Sequence, residues 1–90
     1  MLKFKNTNRF RKDIKGMIKS GKDINKFKDV AEKIIGETPL ERKYQDHKLI
    51  GDYKGYRECH IEPDWLLIYY IKEGTVTFVT TGTHSDLFKK

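Results

Sequence analysis

Several residue types and segments that define other classes of protein are scarce or absent in this chain. Cys59 is the only cysteine among the 90 residues, so an internal disulfide is impossible and a reducing compartment is expected. No apolar run approaches the roughly 18 residues of a membrane-spanning helix. The charged N-terminus also lacks the apolar segment of a secretory signal. These absences predict a cytoplasmic protein that makes no membrane contact.

Internal repeats, flexible linkers and low-complexity segments are absent as well. Residues 1–90 are therefore expected to form a single domain, near the lower size limit for folding without disulfides or metals. Apolar residues make up 37% of the sequence, which is enough for one modest core. Charged residues make up 36%, which predicts a strongly solvated surface.

Positive charge is concentrated in the first part of the chain. Residues 1–36 contain 11 Lys and Arg but only 4 Asp and Glu, whereas residues 37–90 are nearly neutral, within a total net charge of +6. A basic segment attracts a polyanion such as nucleic acid, or an acidic protein partner, through its electric field. A lysine-rich surface that only keeps the helices soluble explains the same charge equally well.

The periodicity of apolar residues predicts two amphipathic helices in this basic part. Four apolar residues of segment 6–20 recur at the spacing of one helical face: Phe10, Ile14, Met17 and Ile18. A second helix is predicted to begin after an N-cap at Asp23 and to end at Gly36. The two form a helical hairpin, which follows a candidate edge strand at residues 2–5.

From residue 56 onward the periodicity becomes that of β-strands. Segments 56–61 and 75–81 alternate, while segment 65–71 is a nearly unbroken apolar run, typical of a central strand covered on both faces. Two-residue turns are predicted at Glu62-Pro63 and at Glu73-Gly74. The expected fold is α+β, with the N-terminal helical hairpin packed on a small antiparallel β-sheet.

Hairpin geometry brings polar residues together at one end of this sheet. The turn at Glu62-Pro63 places His60 opposite Trp65, and the next hairpin, followed to its end, places His84 beside Asp64. Cys59 alternates away from His60. The third and last histidine, His47, lies in the predicted loop 37–55, so that spacing alone does not fix its position.

Imidazoles and a carboxylate in close proximity suit general acid–base catalysis. Imidazole titrates near neutral pH, so one ring accepts a proton while a second donates one. Asp64 is suited to hold a neighbouring ring in a single tautomer. Two alternatives stay open: the three histidines are unrelated surface residues, or His47, His60, His84 and Asp64 bind zinc, although they lack the close spacing of a typical zinc site.

Other residues of the second half suit contact with a nucleic acid. Lys54 and Arg57 are candidates for contact with phosphate, although each is equally an ordinary surface charge. Phe88 either stacks on a base or packs the C-terminal residues against the domain. The aromatic residues Trp65 and Tyr69 are expected in the core instead.

Three segments carry a resemblance to a known family. They are residues 46–51 (DHKLIG), 54–69 (KGYRECHIEPDWLLIY) and 81–88 (TGTHSDLF). Together they resemble the YafQ-like branch of the RelE/ParE toxin superfamily, and the combined signature is far more specific than any one segment. The resemblance is close over the second half of the chain and is limited to the helical-hairpin pattern in the first half.

The resemblance implies a type II toxin: a ribosome-dependent endoribonuclease that cuts translated mRNA and is silenced by a DinJ-like or related antitoxin. It implies contact with DNA only through the toxin–antitoxin complex, and no cofactor. The catalytic histidines of the family fall on His47, His60 and His84, its acidic residue on Asp64 and its C-terminal aromatic residue on Phe88. A basic residue that the family often has four positions before the last histidine is replaced here by Thr80.

A mechanism without metal follows from this set of residues. The RNA supplies its own 2′-hydroxyl as nucleophile, His84 is assigned as the acid, and His47 or His60 as the base. Lys54 or Arg57 is expected to offset phosphate charge in place of the residue missing at position 80. The alternative is a non-enzymatic protein, either a ParE-like toxin or a basic nucleic-acid-binding module, which needs no set of histidines.

Overall fold

A computed structural model of the chain describes residues 1–88, in which two long helices pack on one face of a five-stranded sheet. The elements in chain order are β1 (Lys3–Asn6), α1 (Asn8–Lys19), α2 (Ile24–Ile35), β2 (His47–Lys48), β3 (Arg57–Glu62), β4 (Trp65–Lys72), β5 (Thr75–Gly82) and α3 (His84–Leu87). Two short 3-10 turns, at 42–44 and 51–53, lie on either side of β2. The predicted α+β class and the N-terminal helical hairpin are confirmed.

Side-chain caps begin both long helices where the sequence predicts them. The Thr7 hydroxyl accepts a hydrogen bond from the Phe10 amide at 2.9 Å, and Asp23 accepts one from the Asn25 amide at 2.9 Å. The Thr7 hydroxyl also donates to the Val79 carbonyl at 2.7 Å, which ties the start of α1 to β5. Ile18 is 44% exposed, so its predicted place on the buried face of α1 is wrong.

The sheet has the order β1-β5-β4-β3-β2, with β4 at its centre as predicted. Strands β2 to β5 are antiparallel, but β1 joins the edge parallel to β5, so the sheet is mixed rather than purely antiparallel. The parallel pairing arises because the chain crosses from β1 to the rest of the sheet through the two helices, which cover one face.

The core lies between the helical hairpin and that face of the sheet. Its largest fully buried members are Trp65, Phe10 and Phe78, and the predicted core position of Tyr69 is confirmed. The opposite face of β4 is covered too, because Leu66 and Ile68 have no exposed surface. Within residues 1–88, no helix combines the length and apolar character that crossing a bilayer requires.

The β4–β5 hairpin turns at Glu73-Gly74, as predicted, and pairs Lys72 with Thr75. Both turn residues have positive φ, 51° and 74°, which matches the twist of the strands they join. Farther along, a bulge shifts the register, so that Ile68 pairs with Thr80 and not with Val79 as the count predicted.

The β3–β4 hairpin turns one residue later than predicted. Glu62 pairs with Trp65, which leaves Pro63-Asp64 as the turn, and His60 pairs with Leu66 rather than with Trp65. The register shifts between His60 and Glu62, so a bulge lies just before the turn. The predicted turn at Glu62-Pro63 is therefore wrong, because the position of proline in a turn does not by itself fix which pair of residues forms the loop.

Candidate active site

The three histidines and Asp64 meet at one end of the sheet. The rings of His60 and His84 have centroids 5.7 Å apart, and those of His47 and His60 are 6.4 Å apart. His60 is the middle member of the row, and its side chain is 13% exposed, whereas those of His47 and His84 are 47% and 56% exposed. The two outer rings are therefore accessible to a ligand and the middle ring is largely enclosed.

His47 reaches this place through a strand that the sequence did not reveal. It begins β2, whose two residues pair with β3 so that His47 lies opposite Glu58. The prediction of a loop at His47 is wrong, because a strand of two residues is too short to produce a periodic pattern. The His47 Nδ1–H donates to the Gln45 carbonyl at 2.5 Å, and Gln45 itself has a positive φ of 47° that ends the preceding 3-10 turn.

Asp64 holds His84 by two contacts to one carboxylate oxygen. Asp64 Oδ1 accepts the backbone N–H of His84 at 2.9 Å and faces its Nδ1 at 2.6 Å. These hydrogen bonds, the one from the backbone first, hold the pKa of Asp64 below its usual value. With Nδ1–H committed to the carboxylate, Nε2 of His84 is the ring nitrogen that remains for contact with a ligand.

His84 is placed by a well-defined helix start. It is the first residue of α3, where Thr83 accepts from the Asp86 amide at 3.1 Å and Asp86 accepts from the Thr83 amide at 3.0 Å, a capping box. The preceding Gly82 has no room for a side chain, since an added Cβ would lie 2.9 Å from that of Asp86. The close packing at Gly82, the last residue of β5, thus helps to position the imidazole.

Glu58 is a member of the cluster that the sequence argument did not single out. Its carboxylate lies beneath the two neighbouring rings, with Oε1 3.4 Å from Nε2 of His47 and 3.6 Å from Nε2 of His60. The residue is 6% exposed, and its Oε2 is buried with no hydrogen-bond partner. The available signal was the alternation along β3, which puts Glu58 two positions before His60 on the same face.

The tautomers of both rings follow from their carbonyl partners. The His60 Nδ1–H donates to the Pro63 carbonyl at 3.2 Å, and His47 donates likewise to the Gln45 carbonyl. When the rings are neutral, their Nε2 lone pairs and the Glu58 oxygen are all acceptors. Three hydrogen-bond acceptors therefore converge at this point of the cluster.

The candidate RNA-binding residues do not join this cluster directly. Arg57 lies on the face of the sheet that the helices cover, where it donates to Asp46 at 3.3 Å and 3.1 Å, and this hydrogen bonding raises its pKa. Lys54 is exposed beside a cavity of about 580 Å³ that Arg57 also lines. Phe88 packs edge-on against Tyr53, with ring centroids 6.2 Å apart, at the C-terminal end of α3.

Thr80 and Cys59 are both turned away from the cluster. Thr80 is buried, and its hydroxyl donates to Asp13 of α1 at 2.5 Å. Cys59 has no exposed surface, and burial raises the pKa of its thiol, which makes it unreactive as a nucleophile. Among the described residues, no group of three or more His, Cys, Asp or Glu is arranged to hold a metal ion.

Known proteins are similar to this chain in sequence and in fold. A family model described as the bacterial toxin YafQ of type II toxin–antitoxin systems matches residues 2–89. The mRNA interferase toxin YafQ of Escherichia coli K12 is 46% identical over 80 residues, which are 88% of this chain and 87% of that protein. The E. coli DinJ–YafQ complex contains a chain with a TM-score of 0.90 and 42% identity, covering 98% of this chain and 99% of that one.

A metal-bound toxin from Helicobacter pylori is similar as well, with a TM-score of 0.92 and 43% identity over 98% of this chain and 100% of that one. On this fold, a helical hairpin on a five-stranded sheet, the row of histidines and carboxylates supplies the groups that a general acid–base enzyme requires. The chain belongs to the YafQ family of bacterial toxins of type II toxin–antitoxin systems.

Proposed function

We propose that this chain is an mRNA interferase, the toxin of a type II toxin–antitoxin pair, which stops translation by cutting mRNA on the ribosome. The observation that carries the proposal is the pairing of an exposed imidazole with a carboxylate beside a second imidazole. Nδ1 of His84 lies 2.6 Å from Oδ1 of Asp64, and the ring centroids of His84 and His60 are 5.7 Å apart. The E. coli relative at 46% identity, an mRNA interferase toxin, supports it. Because translated mRNA is the proposed substrate, the protein is proposed to act in the cytoplasm.

The cleavage step requires only groups of the RNA and of the cluster. The base side, where His47 and His60 share Glu58, takes the proton from the 2′-hydroxyl. The 2′-oxygen bonds to phosphorus as the bond from phosphorus to the 5′-oxygen breaks. His84 gives its Nε2 proton to the departing 5′-oxygen, while Asp64 offsets the charge of the imidazolium. The products are a 2′,3′-cyclic phosphate and a free 5′-hydroxyl.

The roles of the remaining residues follow from their positions. Lys54, exposed beside the cavity that Arg57 also lines, is proposed to meet RNA phosphate, whereas Arg57 is already paired with Asp46. Phe88 lies one helical turn beyond His84 and is proposed to stack on a base next to the scissile phosphate. Positioning of the mRNA by the ribosome supplies much of the remaining rate.

The protein partner is proposed to be an antitoxin related to DinJ. The E. coli relative forms a complex with DinJ, and its chain aligns with 98% of this one. The excess of Lys and Arg in residues 1–36 suits an acidic partner as well as ribosomal RNA. DNA contact is proposed to occur only through the toxin–antitoxin complex.

The direct test of this function is to induce the protein in cells and to map new 5′ ends on translated messages. We expect ends to appear within coding regions and to carry a free hydroxyl. Translation-independent cuts, or growth arrest with intact messages, would contradict the proposal. Co-expression of the cognate antitoxin should prevent the cuts.

Cleavage is expected to be independent of a bound metal ion, because the described residues offer no ligand group and the two-imidazole route needs none. Purified toxin treated with EDTA and returned to ribosomes in magnesium buffer should cleave at the untreated rate. Magnesium is held constant throughout because ribosomes require it. Loss of activity that zinc restores and magnesium does not would show that a metal takes part.

The basic helices give a salt-dependent prediction. Lys15 and Lys19 are both exposed residues of α1. Charge reversal at these two positions should weaken ribosome association and make that association less dependent on salt, and it should leave the histidine cluster intact. If the same surface receives the antitoxin instead, the variant should bind ribosomes normally but escape neutralisation. Measuring both affinities on one variant separates these outcomes. No change in either would mean that these lysines are only a solvated surface.

A further inference from the structure

The turn that joins β3 to β4 holds two of the three histidines. Its first residue, Pro63, supplies the carbonyl that accepts from His60 at 3.2 Å, and its second, Asp64, binds His84 at 2.6 Å. A displacement of this one turn would therefore move His84, the proposed acid, and His60, one of the two proposed bases, together. Cleavage depends on how firmly the turn is held.

The turn does not have the backbone conformation that best suits a two-residue hairpin loop. Neither Pro63 nor Asp64 has a positive φ, in contrast to Glu73-Gly74 in the next hairpin. Two-residue hairpin loops match the twist of their strands when the first central residue has positive φ, and other turn types splay the strands. The bulge just before the turn adds a further departure from a regular ladder. Contacts from outside the hairpin are therefore suited to add to the firmness of this turn.

Those contacts come from the helical hairpin. Glu62, the residue before the turn, accepts from Nζ of Lys22 at 3.1 Å through one oxygen and from Nζ of Lys26 at 2.6 Å through the other. The backbone of Lys22 is held just after the end of α1, because its N–H donates to the Met17 carbonyl at 3.0 Å. We call this three-residue contact the Glu62 clamp.

The pKa of Glu62 and that of Asp64 are both affected by the lysines of the Glu62 clamp. Hydrogen bonds from Lys26 and Lys22, in that order, lower the pKa of Glu62. Asp64 is affected too, since the charge of Lys22 adds a small part to the lowering that the His84 hydrogen bonds cause. The Lys22 charge therefore acts on Asp64 in the turn and on Glu62 just before it.

We propose that the Glu62 clamp is a positioning device for cleavage, in which Lys22 and Lys26 hold the β3–β4 turn so that His60 and His84 keep their working geometry. None of its three residues needs to touch RNA. The inference rests on the proposed function for its kinetic consequence, but the placement of the histidines is a property of the free protein. It also assigns two lysines of the basic segment to the site rather than to a general electrostatic surface.

The test compares Glu62→Gln with Glu41→Gln. The control removes the Lys33–Glu41 pair, a similar contact of 3.3 Å from α2 that does not reach the turn. In ribosome cleavage assays, Glu62→Gln should lower kcat about tenfold and leave KM within about twofold, since misplacement acts on the chemical step. Glu41→Gln should match the wild type. Thermal unfolding of each variant monitors the fold.

A readout that needs no RNA separates this proposal from the proposed function. NMR signals of the imidazole carbons, followed across pH, should change for His60 and His84 in Glu62→Gln and stay unchanged for His47. Unchanged histidine signals and kcat in a folded Glu62→Gln variant would overturn the clamp. A wild-type protein that cuts no message would instead defeat the proposed function, while the NMR comparison would still decide the clamp.

The lysines provide the second arm of the test. Lys22→Gln with Lys26→Gln should reproduce the loss of kcat, and arginine at both positions should retain activity. Adding Glu62→Gln to the glutamine pair should cause no further loss, because all three residues act as one contact. A further tenfold loss, about 1.4 kcal/mol, would mean that Glu62 and the lysines act independently and would overturn the proposal.

Discussion

Replacement of His84 by alanine is expected to lower the rate of mRNA cleavage by about 10²–10⁴-fold, the usual contribution of a general acid. The expectation rests on the free Nε2 of the ring, whose other nitrogen faces Asp64 at 2.6 Å. The fold should survive, because the side chain is 56% exposed and the capping box of α3 does not include it. Single-turnover cleavage on programmed ribosomes measures the rate, and thermal unfolding measures the fold.

The matched control is Thr38→Ala, an exposed position between α2 and β2 that is remote from the cluster. A folded His84→Ala protein that cleaves at the wild-type rate would remove His84 from the mechanism. Undiminished growth arrest by the same variant, without any cleavage in the wild type, would favour the non-enzymatic, ParE-like alternative. The two measurements together therefore decide between an enzyme and a binder.

Glu58→Gln is expected to separate activity from stability. The carboxylate serves two imidazoles, and its loss should lower cleavage about a hundredfold, within the range for acid–base groups. Stability should be equal or higher, because the buried Oε2 has no partner, and an unsatisfied buried group costs about 1–3 kcal/mol. The amide of glutamine is neutral and can donate to an Nε2 lone pair.

The pH profile of the cleavage rate and the midpoint of thermal unfolding are the two measurements for Glu58. Glu32→Gln, an exposed change of the same chemistry on α2, is the control for both. A marked fall in the unfolding midpoint with normal cleavage would show that Glu58 is a structural residue. A fall in both would leave the role of the carboxylate in the chemistry unsupported, since the site would then be disordered.

The helices and the central strand could be predicted because each has a strong local signal. Thr7 and Asp23 cap their helices, and the apolar run of β4 has buried neighbours on both faces. The parallel partner of β1 could not be predicted, because four residues with little pattern do not specify a partner at positions 75–78. Such pairing depends on the packing of the whole sheet.

The candidate site was predicted in composition but not in detail. Counting along the β4–β5 hairpin places His84 next to Asp64, yet the bulge before Thr80 changes the register by one residue and aligns Asp64 with His84 itself. A bulge has no dependable sequence signal, so register counts fail beyond it. Glu58 was on the correct face of β3, but its burial beneath two rings depends on β2, which sequence periodicity cannot detect.

The parallel pairing of β1 with β5 has a consequence for how the toxin is made. Residues 3–6 leave the ribosome first, but their partners at 75–78 are synthesised some seventy positions later. Until then α1 lacks the strand to which Thr7 binds, and the apolar surface around Phe10 has no sheet to cover it. An incomplete chain that stops before β5 therefore has neither a closed fold nor His84.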